Sequence, residues 1–172
     1  MIDGAGTHLS MVLTASRRRT ASTVGTLIIF LLVLVFGGPW YVNWVNHNAA
    51  ANTGWNLFLR TLAWPAWSFD TNVPVRDLLA GDLKAILVIV FTAMFLTLLA
   101  SAELARARGT LASLFTGWAA VIFGAALAGL VAAFLSASAS PFTALAWALG
   151  GAGYGLLVGW IVGLAQMGAR RP

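Results

Sequence analysis

Cysteine is absent from this sequence, and with it go disulfides, thiolate metal sites, iron–sulfur clusters and thiol nucleophiles. Charge is scarce as well. Only 9% of the 172 residues are Asp, Glu, Lys or Arg, against about 25% in an average soluble domain. There is a single lysine, Lys84, and there are two histidines, His8 and His47.

Apolar residues take the place of the missing charge: 60% of the chain is hydrophobic and the mean hydropathy is +0.87. A soluble fold of this length buries roughly two-thirds of its chain surface and needs a polar remainder. This composition cannot supply one, so lipid is the expected solvent. The predicted fold class is an all-α integral membrane protein with four transmembrane helices and a short interfacial helix in its outer loop.

The four spans are placed at about 23–44, 83–102, 110–135 and 142–166. Each reaches the roughly 20 helical residues that cross a hydrocarbon core of about 30 Å. Residues 1–22 read as a cytoplasmic basic arm and 45–82 as the outer loop. The arm and first span have the outline of a twin-arginine signal, with Arg17, Arg18 and Arg19 before an apolar core. The core from Val24 to Phe36 is long, and the Phe-Leu that follows such arginines is missing, so an uncleaved first span is expected.

The net charge of +5 is a topology signal because of where it sits. Arg17, Arg18 and Arg19 precede the first span, Arg106 and Arg108 separate the second from the third, and Arg170 and Arg171 follow the fourth. Short cytoplasmic loops retain positive charge, so both termini are predicted to be cytoplasmic. The bias toward Ala, Gly and Arg fits a high-GC bacterial genome and hence a bacterial plasma membrane. No basic stripe interleaved with aromatics appears, which argues against nucleic acid. The expected partners are the lipid bilayer and either other membrane subunits or further copies of the chain.

Residues 55–69 are apolar enough to enter the membrane, but as a helix they reach only about 22 Å. Arg60 and Pro65 interrupt them. They read as an interfacial or shallow re-entrant element.

The most specific pattern is Gly151, Gly155, Gly159 and Gly163, spaced by four in the last span. On a helix this makes one glycine groove that another backbone can approach closely. The third span offers a matching stripe through Thr116, Ala120, Gly124, Ala128 and Ala132, beside Gly117, Ala125, Gly129 and Ala133. Packing of these two spans on each other is the simplest account, and a seam between subunits is the alternative.

In the outer loop, Trp55, Trp64 and Trp67, with His47 and Asp70, form the candidate interaction surface. Tryptophan also favours the headgroup level, since its ring is apolar and its N–H needs a partner. His8 and His47 fall on opposite sides, so they cannot share a metal or haem. Asp77 and Asp82 read as acids opening the second span, with Arg76 and Lys84 as nearby partners.

No cofactor and no catalytic constellation is predicted. The span interiors lack the ionisable residues that carriers and proton relays use. Their polar groups, Thr92, Thr97, Thr116, Tyr154 and Gln166, are expected to find backbone or neighbouring partners. The expected function is a non-catalytic accessory or structural subunit of a larger membrane complex; the alternative is a small homo-oligomeric channel or carrier.

Overall fold

The computed structural model describes residues 22–50, 53–67, 74–101 and 110–169. The basic arm, Asp70 and the arginines at 17–19, 106, 108, 170 and 171 lie outside the described residues, and with them the charge pattern from which the orientation is expected. The described residues form helices and no strand: α1 (Ser22–Phe36), α2 (Pro39–Asn48), α3 (Gly54–Leu62), α4 (Val75–Ser101), α5 (Thr110–Leu135) and α6 (Pro141–Ala169). Three of them, α4, α5 and α6, are long and apolar enough to cross a membrane. A fourth crossing exists by this measure only if α1 and α2 count as one bent span.

That bend corrects the expectation of a continuous first span over 23–44. The axes of α1 and α2 differ by 61°. The cause is local: Gly37 N–H closes the last turn of α1 on Val33 C=O at 2.9 Å. Pro39 then has no N–H to continue the ladder and holds Gly38 extended, at φ −63° and ψ 146°. Pro39 instead opens α2, where Val42 N–H reaches Gly38 C=O at 3.1 Å.

α3 starts on a Thr53 cap, whose hydroxyl accepts Asn56 N–H at 3.2 Å. It folds back on α2 through three side chains. Tyr41 donates its hydroxyl to Leu59 C=O at 2.9 Å, Arg60 donates to Ala49 C=O at 3.2 Å, and Asn56 donates to Ala50 C=O at 2.8 Å. Tyr41 is further fixed by an edge-on contact with Phe36, with ring centroids 4.9 Å apart.

α4 begins eight residues before the expected start of the second span, so the polar outer loop is shorter than 45–82. Pro74 C=O receives the N–H of Asp77 and of Leu78, and Asp77 sits in the first turn, where the helix dipole favours an acid. The Asp77 carboxylate accepts Ala137 N–H at 2.8 Å, which ties the start of α4 to the turn between α5 and α6. That turn ends on Ser140, whose hydroxyl accepts Thr143 N–H at 3.0 Å ahead of Pro141 at the first position of α6.

α5 and α6 are antiparallel neighbours, and α4 packs on the other side of α5. Trp118 on α5 donates its indole N–H to Leu156 C=O on α6 at 3.0 Å. Trp118→Phe keeps an aromatic side chain but removes this donor and part of the ring volume. It is expected to lower stability by about 1 kcal/mol, read from the thermal midpoint in detergent.

Candidate functional site

The glycine row of α6 faces α5 of the same chain. A Cβ built at Gly155 falls 2.7 Å from Ile122 N, and one at Gly159 falls 2.8 Å from Trp118 Cδ1. Cβ atoms at Gly151 and Gly163 would meet the carbonyls of Ala125 and Leu114. From the other side, a Cβ at Gly117 falls 2.8 Å from Gly163 Cα, and one at Gly129 meets Trp147 C=O. The two helices therefore touch backbone to backbone along about 18 Å, twelve residues from Gly151 to Gly163.

Gly124 does not belong to that seam. A Cβ there falls 2.6 Å from Thr92 Oγ1 on α4, so the small residues of α5 serve two neighbours. Ala128 is fully buried in the shared core.

The outer-loop residues separate into two groups. His47 lies on the exposed side of α2, where its Nδ1–H donates to Asn43 C=O one turn back at 2.7 Å. Trp55 is 67% exposed and stacks on Phe58 at 5.7 Å. Trp64 and Trp67, beyond the end of α3, turn inward instead. Trp67 N–H donates to Gly37 C=O at 2.9 Å and its indole N–H to Val33 C=O at 3.3 Å. Pro65, fully buried, brings its carbonyl against Gly37. The turn at 63–67 thus fills the notch opened by the 61° bend, satisfies the Gly37 carbonyl that the broken helix leaves over and gives Val33 C=O a second donor.

Trp64 reaches furthest, to α6. Its ring stacks on Tyr154 at 5.8 Å, and a Cβ at Gly150 would fall 2.8 Å from its Nε1. Glycine at position 150 is what lets the indole lie against the helix. Lys84, from α4, extends over the same indole, its Nζ 4.9 Å from the Trp64 centroid and 5.2 Å from that of Trp147. This placement between two indoles is one that the position of Lys84 in the sequence, near Asp77 and Asp82, did not imply.

Two other expectations change here. Thr97 and Thr116 do bond to backbone, at Met94 C=O and Ala112 C=O. The Tyr154 and Thr92 hydroxyls, both fully buried, have no hydrogen-bond partner among the described residues.

Sequence reasoning missed the convergence of Lys84, Trp147 and Tyr154 on Trp64. The usable signal was there: a lone lysine inside an apolar helix, and a Gly150–Tyr154 pair one turn apart. Among the described residues, no three His, Asp or Glu side chains lie close enough together to hold a metal ion. Comparison with protein-family models, with curated proteins and with solved structures finds no match to this chain.

Proposed function

We propose that this chain is an integral protein of a bacterial plasma membrane, crossing four times with both termini cytoplasmic, and that it acts as a non-catalytic accessory subunit of a larger membrane complex. The four crossings are α4, α5, α6 and the bent pair of α1 with α2. Every helix presents large apolar side chains outward, among them Phe30, Leu34, Val90, Leu98, Phe123 and Leu156, which suits a lipid surround.

The observation that carries the subunit reading is how the chain divides its surfaces. The glycine row is spent on α5 inside the protomer, while α2 and α3 hold Trp40 at 78% exposure and Trp55 at 67% on a roof stitched by backbone acceptors. Rigid, exposed tryptophans on a fixed platform are the kind of anchor that protein interfaces use. A homo-oligomeric channel closed by the glycine row would need that row free, and it faces α5.

Native mass spectrometry of the tagged chain in mild detergent tests the proposal. A second chain retained in fixed stoichiometry is expected, weakened by Trp40→Ala with Trp55→Ala; a monodisperse homo-oligomer overturns it. Topology is checked separately, since the chain has no cysteine to remove. Ser138→Cys should react with an impermeant maleimide on intact cells, and Arg171→Cys only after permeabilisation.

A further inference from the structure

Among the described residues, the surroundings of Lys84 hold donors without acceptors in reach: an ammonium and two indole N–H groups. Its ammonium rests over the faces of Trp64 and Trp147. An aromatic face attracts a cation but offers no lone pair to three N–H groups. Among the described residues Lys84 makes no hydrogen bond and no ion pair, and the indole N–H groups of Trp64 and Trp147 donate to no described acceptor. Trp67, Trp118 and Trp160 all donate to carbonyls. The buried Tyr154 hydroxyl, on the ring stacked against Trp64, is a further polar group without a partner.

These groups come from three separate segments: the turn after α3, α4 and α6. Their depth follows from the Asp77 bond to Ala137, which sets the start of α4 beside the α5–α6 turn. Lys84 lies seven residues further along α4, about 10 Å, and Trp147 lies six residues past Pro141, about 9 Å. Helices α4 and α6, of 27 and 29 residues, are about 40 Å long and exceed a hydrocarbon core of about 30 Å. In the embedding proposed above, Lys84 therefore sits near the outer boundary between acyl chains and headgroups. An intramembrane ionisable residue calls for a named counter-group, and the counter-group abundant at that depth is phosphate.

We infer that Lys84, backed by the indole faces of Trp64 and Trp147, forms an outward-facing site for a phosphate group, carried either by an anionic lipid headgroup or by a soluble phosphate. A phosphate accepts several donors at once, which a single carboxylate or carbonyl does less well. The donor set stands apart from the accessory-subunit reading, and only its depth uses the four-span embedding.

The test uses the full chain in detergent, titrated with phosphatidylglycerol or phosphatidylcholine and weighed by native mass spectrometry, with millimolar inorganic phosphate as competitor. Phosphatidylglycerol should be retained about tenfold better by the wild type than by Lys84→Gln. Lys84→Arg should keep that retention, and Trp147→Phe, which keeps a smaller aromatic face but loses the indole N–H, should fall between. Displacement of the lipid by inorganic phosphate assigns the site to a soluble phosphate, and resistance assigns it to the lipid. Equal retention by wild type and Lys84→Gln overturns the inference. So does a loss in Lys84→Arg as large as in Lys84→Gln, which marks a packing role. Neither outcome depends on whether a partner chain co-purifies.

Discussion

Leucine in place of Gly155 is expected to force α5 and α6 apart and to lower stability by about 3 kcal/mol, without changing the mass of the assembly. The argument rests on what the new side chain meets. A Cβ at this position falls against the Ile122 backbone, with the amide nitrogen 2.7 Å away. Backbone of a neighbouring helix cannot rotate aside as a side chain can. The helices must separate, and the contacts of Gly151, Gly159 and Gly163 loosen with them. Gly153 supplies the control, since a Cβ there meets nothing within 4 Å. Gly153→Ala should leave stability unchanged or raise it by up to about 1 kcal/mol, because alanine favours the helix. Thermal unfolding in detergent reads both, and native mass reads the assembly. Dissociation of subunits by Gly155→Leu, with protomer stability intact, would move the seam to an intermolecular position.

The second large effect is expected at Gly37, in the notch between α1 and α2. A side chain there would meet Pro65 C=O at 2.5 Å and Trp67 Cδ1 at 3.1 Å. Gly37→Leu should therefore expel the 63–67 turn. It would lose the Trp67 hydrogen bonds to Gly37 C=O and Val33 C=O, at a total cost of about 3 kcal/mol. The readout is the maleimide reaction of Ala66→Cys, which should accelerate about tenfold or more as the turn unseats. An unchanged rate would mean that the turn is held by Trp64 on α6 alone.

Much of the helical framework was legible because apolar runs and turn chemistry are local. The third span, 110–135, coincides with α5, and Pro141 opens α6 as Ser-Pro at a helix start implies. The bend was written in Gly37, Gly38 and Pro39, but the apolar run continues on both sides and hides it from any test of length or hydropathy. Asp77 reads correctly as an acid opening the second span, but the apolar run begins only at Leu83 and so leaves out the charged first turns of α4.

Azimuth was harder to read than extent. A helix that is apolar all round gives no stripe to say which face turns inward. Lys84 could have pointed at headgroups or at Asp82; only the place of Trp64 decides that it lies between two indoles. That place depends on a turn wedged into another helix's break, a non-local contact that no sequence periodicity encodes. The same holds for the two roles of α5: Gly124 and Gly117 look alike in sequence, and one meets α4 while the other meets α6.

The contact of the 63–67 turn with α6 also constrains how the molecule is made. Trp64 finds Tyr154 ninety residues later in the chain (154 − 64), and a Cβ at Gly25 would lie beside Gln166, one hundred and forty-one residues on (166 − 25). The N-terminal segment therefore emerges from the ribosome long before the surface it packs on exists. The α5–α6 hairpin can close as soon as it is synthesised, whereas α1 and the tryptophan turn complete their packing only when the final helix arrives. A chain stopped before α6 would leave α1 its contact with Leu96 on α4 but strip it of the Gln166 side of its seat.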